Sequence, residues 1–362
     1  MTKPAALRIL IAGGGTGGHL FPGLAIAEAF AQARPGCDVR FVGSYYGIEG
    51  RVVPERGYRL YRLPVRGLYG VSWLRRLRVL ALLPVALLQS LGIILAFRPH
   101  LVLGVGGYAS GPLLLAALLL RRRTAIQEQN AYPGMTNRLL GRYVHRAFVP
   151  VAGLEGLFPR AMVVGNPVRR AILALRERDM PPRDAPVVLV VGGSQGAHRI
   201  NEAMAAAAPQ LHAQAPWLRI VHQTGPADRD AVAAAYAAAG VQADVPAFID
   251  DMPAVLARAR LVVSRAGASA VNELIAARCP SILIPIPGAS GDHQRKNAQW
   301  VQAGGAGILL EQAELSGERL ARMILELMGD PTRLAAMEAA TDALFPGDAA
   351  ARIVEECLRL IG

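Results

Sequence analysis

A chain of 362 residues is long for a single hydrophobic core, so two domains are expected. With 52% hydrophobic and 18% charged residues it is not a disordered protein, and three scattered cysteines, Cys37, Cys279 and Cys357, exclude a disulfide framework or zinc ribbon and suit a reducing cytosol. The net charge of +12 is lopsided: residues 1–150 hold 19 Lys and Arg against 5 acids, the remainder 20 against 22, which suits an N-terminal half facing an anionic surface or ligand.

The start carries no apolar run of secretory length, so the chain reads as cytoplasmic. Short apolar strands then alternate with helical stretches, the pattern of parallel α/β units. A first strand, Leu7–Ala12, enters the turn Gly13-Gly-Gly-Thr16-Gly17-Gly18, followed by His19. Further strands are expected at Val39–Val42 and Leu60–Leu63. The segment Trp73–Leu80, with Arg75, Arg76 and Arg78, has the composition of a helix lying in a lipid headgroup layer. Val79–Phe97 is free of charge, but Pro84, Gln89, Ser90 and Gly92 interrupt it; a helix buried on a sheet is favoured over a membrane span. The strand Leu101–Val105 opens a second glycine turn containing Gly104, Gly106, Gly107 and Tyr108. After a basic cluster at Arg121–Arg123, strands are expected at Ala125–Gln127 and Ala147–Val149. The proline-dense Met180–Pro186 reads as a linker.

The second half opens like the first, with the strand Val187–Val191 running into Gly192-Gly-Ser194-Gln-Gly196. Strands follow at Ile220–Gln223, Ala247–Ile249, Leu261–Val263, Ile282–Ile284 and Gly307–Leu309, and a last helix is capped by Asp348. The expected architecture is two doubly wound domains facing a central cleft, with ligands beyond the carboxyl ends of the strands.

The first glycine turn fits the dinucleotide pattern, but the second strand ends Phe41-Val-Gly-Ser44, without the acid that grips a ribose. Glycine lets backbone amides approach a phosphate or sugar, with a helix N-terminus behind them. Three such turns suggest more than one phosphate-bearing ligand. Glu273, one turn inside a helix that begins after Ser264-Arg265-Ala-Gly, can accept from two ribose hydroxyls. The cluster Asp292–Asn297 suits sugar recognition. Asp228-Arg-Asp230 sits at a helix start and reads as structural, so no metal is expected.

Six ordered motifs carry a resemblance: Gly14–Leu24, Gln127–Gly134, Gly165–Arg169, Gly192–Ala197, Phe248–Met252 and Asp292–Gln294. Together they are similar to the MurG family of GT-B glycosyltransferases. That family moves N-acetylglucosamine from UDP-N-acetylglucosamine to lipid I, making lipid II for peptidoglycan synthesis. The resemblance implies a GT-B fold with an acceptor- and membrane-binding domain, 1–166 plus the helix 347–362, and a UDP-sugar domain, 167–346. It implies donor contacts at Thr16, Gly17, Gly18 and Asn130, diphosphate contacts at Arg169 and Ser194, and uracil held by the backbone of Ile249 near Met252. Around the donor it also implies Arg265, Ala268, Ser269, Ala270, Val271, Asn272, Glu273 and Gln294, with Ala270 standing where threonine is frequent. Acceptor contacts fall at Gly104, Gly106, Gly107 and Tyr108. His19 is the candidate base, since imidazole ordinarily titrates near 6.5; the bland reading is that it only orients the acceptor. No cofactor is implied, and partners would be UDP-N-acetylglucosamine, lipid I, an anionic membrane surface at the cytoplasmic face of the inner membrane, and other cell-wall and division proteins. Another UDP-sugar enzyme of the same fold, such as an epimerase or glycolipid transferase, and a non-catalytic membrane adaptor are the alternatives; nucleic acid is not an expected partner.

Overall fold

The computed structural model describes residues 6–15, 17–66, 73–130, 132–154, 156–177, 187–193, 195–288 and 292–362, with backbone alone at 73–80 and 177. Thr16, Ser194 and the expected linker Met180–Pro186 lie outside the described residues, as do the side chains of Trp73, Arg75, Arg76 and Arg78. The chain forms two units: Met1–Arg169 with Pro346–Gly362, and Arg170–Phe345.

The N-terminal unit runs β1 (Arg8–Ala12), α1 (Gly17–Ala33), β2 (Asp38–Ser44), α2 (Glu49–Glu55), β3 (Arg59–Leu63), α3 (Trp73–Phe97), β4 (Leu101–Gly104), α4 (Ser110–Leu119), β5 (Arg123–Gln127), α5 (Met135–Leu140), β6 (Arg146–Val149) and β7 (Ala161–Val163). Its seven strands are all parallel, in the order β3-β2-β1-β4-β5-β6-β7. Ile9 to Ala12 are completely buried, because helices cover both faces and a parallel strand then has no side to leave polar. The edge strand β7 is absent from the sequence expectations. It is three residues long and half exposed, too short for a periodic signal.

Helix α3 buries Ala86, Ser90, Ile94 and Phe97 along one stripe, and it packs on α4. Its other side leaves Val85, Leu88 and Leu95 exposed. Among the described residues no helix is long and apolar enough to cross a membrane.

The C-terminal unit comprises α6 (Arg170–Glu177), β8 (Val187–Val191), α7 (His198–Gln214), β9 (Arg219–Gln223), α8 (Arg229–Ala238), β10 (Gln242–Asp244), α9 (Met252–Arg258), β11 (Ala259–Ser264), α10 (Ala268–Ala276), β12 (Ser281–Leu283), α11 (His293–Ala303), β13 (Gly307–Leu309), α12 (Gly317–Met328) and α13 (Pro331–Leu344). Six parallel strands lie in the order β10-β9-β8-β11-β12-β13. Each sheet thus reverses direction beside its first strand, the doubly wound arrangement that leaves a crevice at the carboxyl ends. One expectation is corrected. Ala247–Ile249 is not a strand; the edge strand is Gln242–Asp244. Pro246 has no N–H to continue a ladder, and the Ile249 amide donates instead to a side chain, Gln223 Oε1, at 2.9 Å.

The last helix, α14 (Ala349–Ile361), belongs to the N-terminal unit and packs against α1. The Asp348 carboxylate caps it by accepting from the Ala351 amide at 3.0 Å. Ile353, Val354 and Cys357 are buried beside Leu24 and Phe30, an apolar burial of roughly 1.5–3 kcal/mol per large side chain.

Candidate active site

In the N-terminal unit, the strand ends β1 and β4 carry adjoining glycine turns. Gly14 and Gly15 have φ of 146° and 86°, Gly106 and Gly107 of 91° and 80°, values that only glycine adopts freely. A Cβ on Gly107 would stand 2.6 Å from the Gly14 carbonyl, so the two turns touch through backbone. Gly104 plays a packing part: its missing Cβ leaves room for Leu114. Tyr108 is exposed.

Behind these turns sits Glu49, fully buried. Its Oε2 accepts from the Gly15 amide at 2.8 Å, and its Oε1 from the Ser44 amide at 2.7 Å and hydroxyl at 2.9 Å. The amide that would cradle the pyrophosphate of a dinucleotide is therefore already donating to a carboxylate, and a second anion there would be repelled. The β2 strand ends without an acid, yet an acid five residues beyond Ser44 reaches the loop. A nicotinamide or flavin dinucleotide does not fit this turn.

His19 lies in the first turn of α1, its ring against Gly106, where a Cβ would come 2.5 Å from Nδ1. That Nδ1 is 3.0 Å from Gln129 Oε1. Asn130 is held by Glu128, whose Oε1 accepts from the Asn130 amide at 2.9 Å and side chain at 3.2 Å. The same carboxylate's Oε2 accepts from the Gly134 amide and Asn137, tying down the turn before α5. Arg169 lies 5.1 Å from the Phe21 ring centre, a cation–π contact with α1. Gly17 and Gly18 begin α1.

In the C-terminal unit, the turn after β8 stacks on the turn after β9: a Cβ on Gly196 would overlap the Thr224 carbonyl, and one on Gly225 the Gln195 carbonyl. Gln223 spans the site, donating to the Gly193 carbonyl at 2.8 Å while accepting from Ile249. Asn201 donates to Thr224 O and to Asp228, both at 2.8 Å. Asp228 precedes α8 as its cap residue but makes no capping hydrogen bond; it accepts from Asn201 and faces His198, which hold its pKa below the usual carboxylate range. Burial pushes His222 down to about 3, so it is neutral between Asn201 and the Tyr236 hydroxyl.

The turn after β11 leads into α10, whose first turn holds Ala268, Ser269 and Ala270 and no acid. The first turns of α1 and α7 also lack acids. A helix N-terminus left without an acid can accept a ligand's negative charge. Glu273 is the sixth residue of α10 and half buried. Gln294 accepts from the Ile286 amide at 3.0 Å, and Asn297 donates to the Ala266 carbonyl at 3.0 Å, fixing α11 against the turn. Met252 begins α9, half buried.

Three of the expected donor-contact residues are buried or bonded within the unit itself. Arg265 is buried and donates to the Ile284 and Pro285 carbonyls and to Gln312. Val271 is buried, and the Asn272 side chain donates to its own helix at Ala268 O. Glu49, Gln129, Gln223 and Asn201 were missed as site residues. Only Gln129 stood within a motif, and each of the other three has a partner remote in sequence. Among the described residues no group of three or more His, Cys, Asp or Glu could hold a metal ion.

Both halves match one family. The glycosyltransferase family 28 N-terminal domain matches residues 9–149, and the family 28 C-terminal domain residues 187–353. The chain belongs to glycosyltransferase family 28. Among family relatives is the UDP-N-acetylglucosamine–N-acetylmuramyl-(pentapeptide) pyrophosphoryl-undecaprenol N-acetylglucosamine transferase of Citrifermentans bemidjiense, 46% identical over 96% of this chain and 98% of that protein. The transferase of the same name from Geobacter metallireducens is 47% identical over 97% and 98%. The crystal structure of Acinetobacter baumannii MurG aligns with a TM-score of 0.75 at 28% identity, covering 98% of this chain and 99% of that one. The fold is therefore GT-B. The UDP-GlcNAc 2-epimerase of Neisseria meningitidis shares that fold alone, at 15% identity and a TM-score of 0.67.

Proposed function

We propose that this family 28 enzyme transfers N-acetylglucosamine from UDP-N-acetylglucosamine to the muramyl 4-hydroxyl of undecaprenyl-pyrophosphoryl-muramyl-pentapeptide, the step from lipid I to lipid II in peptidoglycan synthesis. The carrying observation is 46–47% identity to transferases of that name over nearly the full length of both chains. The C-terminal unit takes the donor: the diphosphate on its helix N-termini with Ser194, uracil on the backbone at Ile249, ribose on Glu273, and sugar hydroxyls on Gln294. The N-terminal unit offers Thr16, Gly17, Gly18, Asn130 and Arg169 to the donor, and the turn Gly104, Gly106, Gly107 and Tyr108 to the acceptor.

The acceptor oxygen bonds to the anomeric carbon as the bond from that carbon to the β-phosphate oxygen breaks, and its electron pair leaves with UDP. The hydroxyl proton passes to His19. Amide dipoles and arginine stabilise the departing charge, so the chemistry needs no metal. Exposed Val85, Leu88 and Leu95 on α3, preceded by Trp73, Arg75, Arg76 and Arg78, suit peripheral docking on an anionic membrane at the cytoplasmic face, where cell-wall and division proteins would be neighbours.

The test is an assay with labelled UDP-N-acetylglucosamine and lipid I, with and without a chelator. The expected result is labelled lipid product with one UDP per transfer at an unchanged rate in chelator. An epimerised UDP-sugar, or no transfer at all, would overturn the proposal.

A further inference from the structure

Three carboxamides beneath the first glycine turn form a chain whose orientation the backbone dictates. Asn166 donates through Nδ2 to the Gln129 carbonyl at 2.9 Å. Gln127 donates through Nε2 to the Glu128 carbonyl at 3.0 Å and to Asn166 Oδ1 at 3.1 Å. Gln129 donates through Nε2 to the Val105 carbonyl at 2.8 Å and to Gln127 Oε1. Backbone carbonyls only accept, so each amide nitrogen must face its carbonyl, and none of the three side chains can turn over without setting acceptor against acceptor. All three residues are buried, so water does not relieve the error of a flip.

The end of this chain is Gln129 Oε1, a pure acceptor, 3.0 Å from His19 Nδ1. Neutral imidazole has one N–H, and here it must sit on Nδ1. Nε2 then carries the lone pair, and it makes no hydrogen bond among the described residues. The carboxylates nearby are committed elsewhere: Glu49 to Gly15 and Ser44, Glu128 to Asn130, Gly134 and Asn137. Arg169 lies over Phe21.

We propose that Gln129 is the positioning residue for His19, fixing the neutral ring with its proton on Nδ1 so that Nε2 is the atom that receives the acceptor's proton. This rests on the reading of His19 as base. When Nε2 takes the hydroxyl proton, the imidazolium keeps its Nδ1–H on Gln129, so nothing else need move. Free imidazole favours the opposite tautomer, with the proton on Nε2, and such a ring would present a donor to the hydroxyl.

Long-range proton–nitrogen correlation spectra of the ¹⁵N-histidine-labelled enzyme, assigned with His19→Asn, read the tautomer without altering Gln129. The expected spectrum has a protonated Nδ1 and a bare Nε2 for His19. In Gln129→Leu the two nitrogen shifts should move toward those of the other tautomer, and kcat should fall roughly 10- to 100-fold while KM for UDP-N-acetylglucosamine holds. A wild-type spectrum with the proton on Nε2 overturns the proposal, as does a Gln129→Leu enzyme at full rate. If the wild-type tautomer is as expected but His19→Asn retains full rate, the tautomer assignment stands and the base reading falls.

Discussion

Glu49 ties the two strand ends β1 and β2 together through one carboxylate, and the missing side chains of Gly14, Gly43 and Gly47 make room for it. Glu49→Gln keeps the shape and the acceptance from Ser44, but its amide nitrogen would meet the Gly15 N–H donor to donor. Taking the charged acceptor from that part-buried amide costs about 1–3 kcal/mol. The thermal midpoint should drop by several degrees and kcat/KM should fall more than tenfold; a variant of unchanged rate would show that the turn's shape is irrelevant to the reaction. His222 gives a pH dependence of known sign. Its folded pKa, about 3, lies below the unfolded value near 6.5, so the unfolded chain binds the extra proton between those limits. Stability is thus full above pH 6.5 and declines as the pH falls toward 3, by up to roughly 5 kcal/mol. Denaturant midpoints between pH 7 and 4 should fall for the wild type and stay flatter for His222→Asn.

At the scale of elements, α14 shows how a helix without a strand completes a unit earlier in the chain. Ile353 is fully buried, and Ile353→Ala should cost roughly 2–5 kcal/mol, read as a lower denaturant midpoint. Helix α3 was legible as packed rather than spanning, because Pro84, Gln89, Ser90 and Gly92 break its apolar run inside an α/β alternation; the structure buries Ala86, Ser90 and Ile94 on one face. Its bare face has a consequence for docking. A Val85→Asp, Leu88→Asp double variant should cosediment with anionic vesicles about tenfold more weakly, with donor turnover on a water-soluble acceptor unchanged; equal cosedimentation would remove α3 from the membrane reading. The misplaced strand at Ala247–Ile249 has a local cause. Its composition favours a strand, but the hydrogen bonds of that segment go to Gly225 and Gln223, and sequence periodicity does not report such partners.

For the whole molecule, the alternation of strands and helices and the glycine turn after the first strand of each half were enough to indicate two doubly wound sheets. The residues that shape the turns were harder to find. Glu49 donates nothing to a motif; its meaning lies in an amide 34 residues earlier. Gln129 sits within a recognised run, but its effect on His19 depends on the Val105 carbonyl brought in by another strand. Arg265 shows the converse, a charged residue beside a candidate site whose guanidinium is bound into the fold.

The central claim is a single displacement at the anomeric carbon, with His19 receiving the proton. Its most direct test is the configuration of the new glycosidic bond, read by NMR on product made from α-linked UDP-N-acetylglucosamine and lipid I. The account predicts a β linkage from the wild type, and the same linkage formed at least a hundredfold more slowly by His19→Asn. An α-linked product would contradict it.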